Sequence, residues 1–112
     1  PVGCAASLAV IELFESGLLE RGALLGRYMG ETLHNLAQRH PLRLGPVTGR
    51  GAMRGIGVKP VADSMTICRR MLQRGYLLLP AGLKGEVLGF TPALTLSRSQ
   101  WDAALQALED CL

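Results

Sequence analysis

Aromatic side chains are scarce in this sequence: they make up 4% of its 112 residues, with a single tryptophan. Aliphatic side chains must therefore fill most of any core, and few rings are available to stack on nucleic-acid bases. Lys and Arg outnumber Asp and Glu by only 12 to 9. These basic residues are spread along the chain rather than concentrated in one stripe, so we do not expect nucleic-acid binding.

Paired cysteines and metal-binding motifs are also lacking. Cys4, Cys68 and Cys111 lie far apart in apolar stretches, and no two have the spacing of a metal or redox motif. A metal site or a catalytic triad would need suitable partners for a histidine. Neither His34 nor His40 has a cysteine or an aspartate nearby in the sequence. We therefore expect free buried thiols, histidines at the surface or at a helix end, no metal site and a reducing, cytoplasmic location.

No uninterrupted apolar run reaches the roughly 20 residues that a membrane span needs, and no signal-peptide pattern is present. We therefore expect no membrane association. The sequence begins at Pro1 without a methionine and enters an apolar stretch at once. We interpret this as a cut inside a longer gene product.

Groups that could carry catalysis are few. The only lysines, Lys59 and Lys84, lie in turn-like segments rich in Gly or Pro, whereas an imine-forming lysine needs desolvation or a neighbouring cation. No serine lies in a nucleophile-elbow sequence. Glu109 and Asp110 fall at a predicted helix end, where we expect them to be solvated. The residues alone therefore predict a domain without a self-contained active site.

Two helices are predicted in the first 40 residues. Residues 3–16 are predicted to form a helix that Gly17 ends. The first half of this helix is apolar on nearly every face, which predicts that it is buried on all sides. Residues 18–40 keep helical apolar spacing. Three glycines recur there every four residues, which either permits a close helix crossing or arises by chance: Gly22, Gly26 and Gly30.

The glycine-rich segment 46–60 matches no phosphate-binding motif. It predicts one strand with a bulge at residues 49–51. A third helix is expected over residues 63–74, capped by Asp63 or Ser64 and ended by Gly75. Four apolar residues should form its buried face: Ile67, Cys68, Met71 and Leu72.

Two short strands are expected next, over residues 76–79 and 87–90, and the second either ends at Phe90 or extends to Leu94. The loop between them has hairpin chemistry. Ser97 and Gln100 form a capping box for a last helix. The element order predicts an α+β fold with a small, mostly antiparallel sheet of three or four strands packed against helices.

Three stretches resemble class III (ornithine/4-aminobutyrate-type) aminotransferases. PVGCAASLAVIEL resembles the family helix N-P-x-x-C-A-A-A-L-A-V-L, and PVTGRGAMRGIGV resembles the strand V-R-G-x-G-L-M-x-G-I. The segment from YLLLPAG to LEDCL resembles the family's ending, and the likeness covers essentially the whole chain. It implies an aminotransferase small-domain fold, with residues 1–16 leading from a missing large domain and residues 17–112 forming the C-terminal small domain.

The resemblance also implies a parent enzyme, usually a homodimer, that uses pyridoxal 5'-phosphate to pass amino groups from an amine or amino acid to a keto acid. The family's cofactor lysine and most phosphate ligands precede this segment, so we expect no cofactor and no activity in the isolated chain. Many members place a substrate-carboxylate arginine where EVLGFTPAL has Gly89. Thr48 likewise replaces the strand's first arginine, although Arg50 remains. The alternative is a free-standing α+β module for ligand binding or oligomerisation.

Overall fold

The computed structural model describes residues 1–112 and contains four α-helices and one four-stranded antiparallel sheet. The helices are α1 (Val2–Leu13), α2 (Leu19–Arg39), α3 (Ser64–Gln73) and α4 (Arg98–Glu109). The strands are β1 (Leu44–Arg50), β2 (Met53–Val58), β3 (Leu79–Ala81) and β4 (Val87–Phe90), in the order β1-β2-β4-β3 across the sheet. The predicted α+β architecture is confirmed.

α1 continues into α2 through a π-helical turn, Phe14–Leu18, that is kinked at Gly17. Gly17 has a φ of 105°, so the predicted break in the helix is present. The chain is helical both before and after this residue. α1 has no buried residue, and Val2 and Leu8 are 85% and 62% exposed. The prediction that this helix is buried all round is therefore wrong within this chain.

The continuous helical segment Val2–Arg39 has the length and composition to cross a membrane, with a mean hydropathy of 1.6 in its apolar window. The sequence shows no uninterrupted apolar run of that length, because Glu12 and Glu15 interrupt it. Core helices of soluble proteins have the same property.

The core lies on one face of the sheet, where α2, α3 and α4 pack. Ile56 and Leu88 point from the central strands into this core and are fully buried. The opposite face, here called the outer face, is open, and Met53 and Leu79 are 68% and 63% exposed there. The sheet therefore buries only one of its two faces within this chain.

Individual burial predictions fared unevenly. Cys68 and Cys111 are buried free thiols as predicted, whereas Cys4 is exposed. On α3, Leu72 is 60% exposed, so it does not belong to the predicted buried face. Trp101 is buried on α4, where its indole N–H donates to the Thr32 hydroxyl at 2.8 Å.

The glycine stripe of α2 faces the sheet rather than another helix, so the predicted helix crossing is wrong. A Cβ at Gly26 would overlap the backbone of Gly51, and one at Gly30 would lie 2.9 Å from the Arg54 guanidinium. A Cβ at Gly22 would meet the Leu94 side chain at 2.9 Å. The stripe therefore lets α2 approach the turn between β1 and β2, the start of β2 and the loop after β4.

Arg54 joins α2 to the β1–β2 hairpin. Its guanidinium donates to three backbone carbonyl oxygens, those of Gly26, Gly49 and Gly51, at 2.9, 3.2 and 2.9 Å. A half-buried cation is well stabilised when several carbonyl oxygens accept from it. This side chain therefore fixes the hairpin turn against the helix.

Several predicted boundaries need correction. The segment expected to be one strand is a hairpin of β1 and β2, with Gly51 (φ 57°) in its turn, and the register irregularity lies between Leu44 and Val47 instead of at 49–51. β3 begins at Leu79 and β4 ends at Phe90, so the first strand starts three residues later than predicted and the extension is absent. The hairpin between β3 and β4 is confirmed.

The predicted helix ends fared better. The capping box is confirmed, since the Gln100 N–H donates to the Ser97 hydroxyl while the Ser97 N–H donates to the Gln100 side chain. Gly75 has the expected left-handed φ of 87° after α3. Asp63 makes no side-chain capping bond at the start of α3, where the 3-10 turn Val61–Asp63 leads into the helix.

Replacing Gly26 by Ala should destabilise the fold by about 2 kcal/mol, because the new methyl group forces the hairpin away from α2. Alanine is otherwise favoured over glycine in a helix by about 1 kcal/mol, so a loss of stability isolates the steric effect. Gly3→Ala is the matched control, because a Cβ there meets nothing within 4 Å. Urea unfolding measures both; equal stability of the two variants would contradict the close approach.

Candidate functional site

Gly89 lies on β4, between Gly55 on β2 and Leu79 on β3. Its neighbour Leu88 points into the core, so position 89 faces the outer side of the sheet. A Cβ at Gly89 would approach the Ala81 methyl group to 3.3 Å, which is a tight contact. Gly55 and Gly89 are paired on the outer face, where the side chains of Val87, Thr48 and Ala81 lie close to the space that side chains at these two positions would take.

An apolar cleft of about 390 Å³ adjoins Gly89. Met71, Leu78 and Trp101 form its buried side, and Leu77 and Leu79 lie at its exposed rim. The remaining lining residues come from positions 76–105 and none of the thirteen is charged. The rings of Phe90 and Trp101 meet edge to face with centroids 5.4 Å apart in its wall, a favourable aromatic geometry.

A cluster of polar groups lies at the C-terminal end of α4. Arg39 donates two hydrogen bonds to the Glu109 carboxylate, at 3.1 and 2.9 Å, and His40 Nε2 lies 2.7 Å from the same carboxylate. These bonds, Arg39 first and His40 second, lower the pKa of Glu109 from 4.5 to about 2. The expectation that Glu109 is simply solvated is therefore wrong.

Neighbouring contacts extend this cluster. Arg74 pairs with Asp110 at 3.0 Å, so Asp110 is not simply solvated either. Arg70 donates to the Cys111 carbonyl oxygen at 3.0 Å. Cations near a helix C-terminus stabilise its partial negative charge. The cluster therefore joins α2 and α3 to the C-terminal end of α4, and its contacts stabilise the fold.

Of the candidate site residues considered from the sequence, Gly89 borders the cleft, and Met71, predicted as a buried residue of α3, also lines it. His34 is exposed on α2, and Lys59 and Lys84 are exposed outside the cleft. The cleft's walls come from α3, the segment 76–78, β3, β4, the segment 91–96 and α4. Sequence reasoning missed it because a cavity depends on how distant elements pack, and its apolar residues look like ordinary core.

Comparison with known proteins identifies a family for this chain. The chain matches the family described as "Aminotransferase class-III" over residues 1–112. The L-lysine-epsilon aminotransferase of Mycobacterium bovis is 34% identical over 104 residues, covering 92% of this chain and 23% of that protein. The isoleucine 2-epimerase of Lentilactobacillus buchneri is 34% identical over 119 residues, covering 98% and 26%.

Solved structures share the fold as well. The lysine aminotransferase of M. tuberculosis superimposes with a TM-score of 0.86 at 34% identity, over 92% of this chain and 23% of that one. A phospholyase from Arthrobacter superimposes with a TM-score of 0.89 at 32% identity, over 99% and 28%.

The fold is therefore the α+β type of an aminotransferase small domain. The chain belongs to the class III aminotransferase family, and it spans about a quarter of the length of the relatives that it matches.

Enzymes of this family depend on pyridoxal 5'-phosphate, and the described residues do not fit this cofactor by themselves. Lys59 and Lys84 are both exposed, so neither lies in the dry pocket that a cofactor-binding lysine needs. The apolar cleft offers no charged group to a phosphate or to a pyridine nitrogen. No step of the chemistry can therefore be assigned to residues of this chain.

Glu109→Gln should reduce stability near neutral pH and leave it unchanged in strong acid. A carboxylate whose folded pKa is lowered stabilises the fold above its ordinary pKa of 4.5, and this contribution is lost as the pH falls towards about 2. Urea unfolding over this pH range measures the difference. Glu31→Gln, which removes an exposed carboxylate without an ion pair, is the control. A Glu109→Gln effect that is constant with pH would contradict the assignment.

Proposed function

We propose that this chain is the C-terminal small domain of a pyridoxal-phosphate-dependent class III aminotransferase. The carrying observation is the family match over residues 1–112 in a chain that spans about a quarter of its relatives' length. A larger domain would then hold the cofactor and the lysine that binds it. The family match does not favour the alternative of a free-standing ligand-binding or oligomerisation module.

The exposed apolar helix α1 supports this division. Residues 1–16 would lead from the large domain, and residues 17–112 would form the small domain. No residue of α1 is buried within the chain. A kink at Gly17 lies between α1 and α2. Helices that are apolar on all faces are usually buried, so the large domain is the proposed cover of α1. A homodimer in the cytoplasm completes the proposal.

The proposed reaction moves an amino group from an amine or amino acid to a keto acid. The cofactor supplies the electron sink for this chemistry when it is bound in the intact enzyme. This domain would contribute a wall of the substrate site through the outer face around Gly89. Similar proteins also include an epimerase and a phospholyase. We propose amino transfer because other similar proteins are named as aminotransferases.

Gly89 sets the proposed site apart from members that clamp a substrate carboxylate with arginine at this position. Glycine offers neither charge nor hydrogen-bond donors beyond its backbone, so it cannot replace a two-pronged ion pair. We therefore propose that the substrate's recognised end is not held here as a carboxylate.

Gly89→Arg in the intact enzyme should shift preference towards simple carboxylate-bearing amino donors such as 4-aminobutyrate. A charge-assisted pair contributes roughly 1.5–3 kcal/mol, or about tenfold to a hundredfold in kcat/KM. Leu83→Arg places the same charge at a fully exposed position away from the cleft and is the control. A donor panel with an unchanged order for both variants would contradict the role of Gly89.

Pyridoxal phosphate should bind the intact protein and not the isolated chain. Adding it to residues 1–112 should change visible absorbance no more than it does with model peptides carrying two exposed lysines. In the intact protein, borohydride should attach the cofactor to a lysine outside this segment, as peptide mass spectrometry can map. Attachment at Lys59 or Lys84 in the intact protein would overturn the proposed division of labour.

A further inference from the structure

A polar pocket lies where α2 runs beside the β1–β2 hairpin, and the proposed function leaves it unused. Its volume is about 640 Å³, and only one of its seven lining residues, Val47, is hydrophobic. A ligand there would therefore be held by hydrogen bonds and charge rather than by apolar burial. The other lining residues are Arg27, Gly30, Glu31, His34 and Asn35 of α2 and Arg54 of β2.

Arg54 supplies a fixed positive charge at the wall of this pocket. Its guanidinium has five N–H groups, and three of them donate to the carbonyl oxygens of Gly26, Gly49 and Gly51. One N–H group on each terminal nitrogen is therefore free to donate to a ligand. The carbonyl oxygens orient the guanidinium, but they carry no net charge that would neutralise it. A Cβ at Gly30 would lie 2.9 Å from Nη2, so this glycine leaves room for the guanidinium beside the helix.

Arg27 adds a second cation to the pocket. It is exposed, and neither Arg27 nor Arg54 forms an ion pair with a carboxylate of this chain. Residues three and four positions apart share a helix face, so Glu31 and His34 lie on the same side of α2 as Arg27. The lining therefore has two guanidinium groups against one carboxylate and is net positive.

The donor set of this pocket determines which anion it suits. Guanidinium groups bind phosphate and carboxylate through charge-assisted hydrogen bonds. A phosphate group has several oxygen atoms that point in different directions, whereas both oxygens of a carboxylate lie in one plane. Donors that come from a helix on one side and a strand on the other therefore favour phosphate. These donors lie on separate elements, which is why no continuous phosphate-binding motif is present in the sequence.

We propose that this pocket binds a phosphate group, either as the free ion or as part of a phosphate monoester. Arg54 and Arg27 are the two cationic partners, and Asn35 and His34 supply neutral hydrogen-bonding groups. No lysine lines the pocket, so a phosphate-bearing ligand held here forms no imine with its lining.

Calorimetric titration of inorganic phosphate into the intact protein tests the proposal. Excess cofactor is first removed by dialysis, and the ionic strength is kept constant with sodium chloride. Saturable binding with a Kd of about 1 mM is expected for an anion held at an open site by two guanidinium groups. Absence of saturable binding at about ten times this concentration would overturn the site.

Three substitutions locate the binding. Arg27→Gln should weaken phosphate binding about fivefold. Arg69→Gln is the matched control, because it removes the same charge from an exposed residue of α3 outside the pocket and should leave the affinity unchanged. Glu31→Gln should tighten binding about twofold or more, since it removes a like charge from the lining. Equal affinities of the two arginine variants, or no tightening by Glu31→Gln, would contradict the pocket as the site.

Two further ligands identify the anion. Succinate, a dicarboxylate, should bind more weakly than inorganic phosphate, and equal or tighter binding of succinate would refute the preference for phosphate. Methyl phosphate separates the two sources of a phosphate group. If it binds at least as tightly as inorganic phosphate, the site is one for a monoester; tighter binding of inorganic phosphate supports a site for the free ion.

Discussion

One-sided burial of the four-stranded sheet is the constraint on which the rest of this structure depends. Three helices cover one face, and Ile56 and Leu88 anchor the strands to them. The other face stays open, and α1 leaves the body without burying a residue. Exposed apolar surface of this extent favours contact with another surface, and the chain spans about a quarter of the length of the class III relatives that it matches.

The covered face is held together by close backbone approach and by charge. Glycines on α2 let the helix come near the β1–β2 hairpin, and Arg54 satisfies three carbonyl oxygens at that junction. At the far end of α2, Arg39 and His40 converge on Glu109 of α4. The first junction holds α2 against the β1–β2 hairpin, and the second holds the end of α2 against α4.

Changes on the outer face of the sheet leave the buried core intact, because the core lies on the opposite face. Gly89 illustrates this separation: its neighbour Leu88 is fully buried, whereas position 89 faces outward beside an apolar cleft. Relatives with about one-third identity include an aminotransferase, an epimerase and a phospholyase. One fold can accommodate that range, since function resides in sites rather than in folds.

Local interactions were determined by the sequence itself. The capping box of Ser97 and Gln100, the left-handed Gly75 and the spacing of apolar residues on α2 act within a few residues of one another. The motifs that indicate the family are likewise continuous stretches. These features could be predicted because their physical causes lie within one turn or one strand.

Contacts between distant segments were decided only by the tertiary structure. Arg54 reaches a carbonyl 28 positions away, and Arg39 reaches a carboxylate 70 positions away. The same holds for the partner of the α2 glycines, which is a hairpin rather than a helix, and for the cleft beside Gly89. Hydrophobic periodicity shows that a face must be covered but not which element covers it, because burial favours any well-fitting apolar surface.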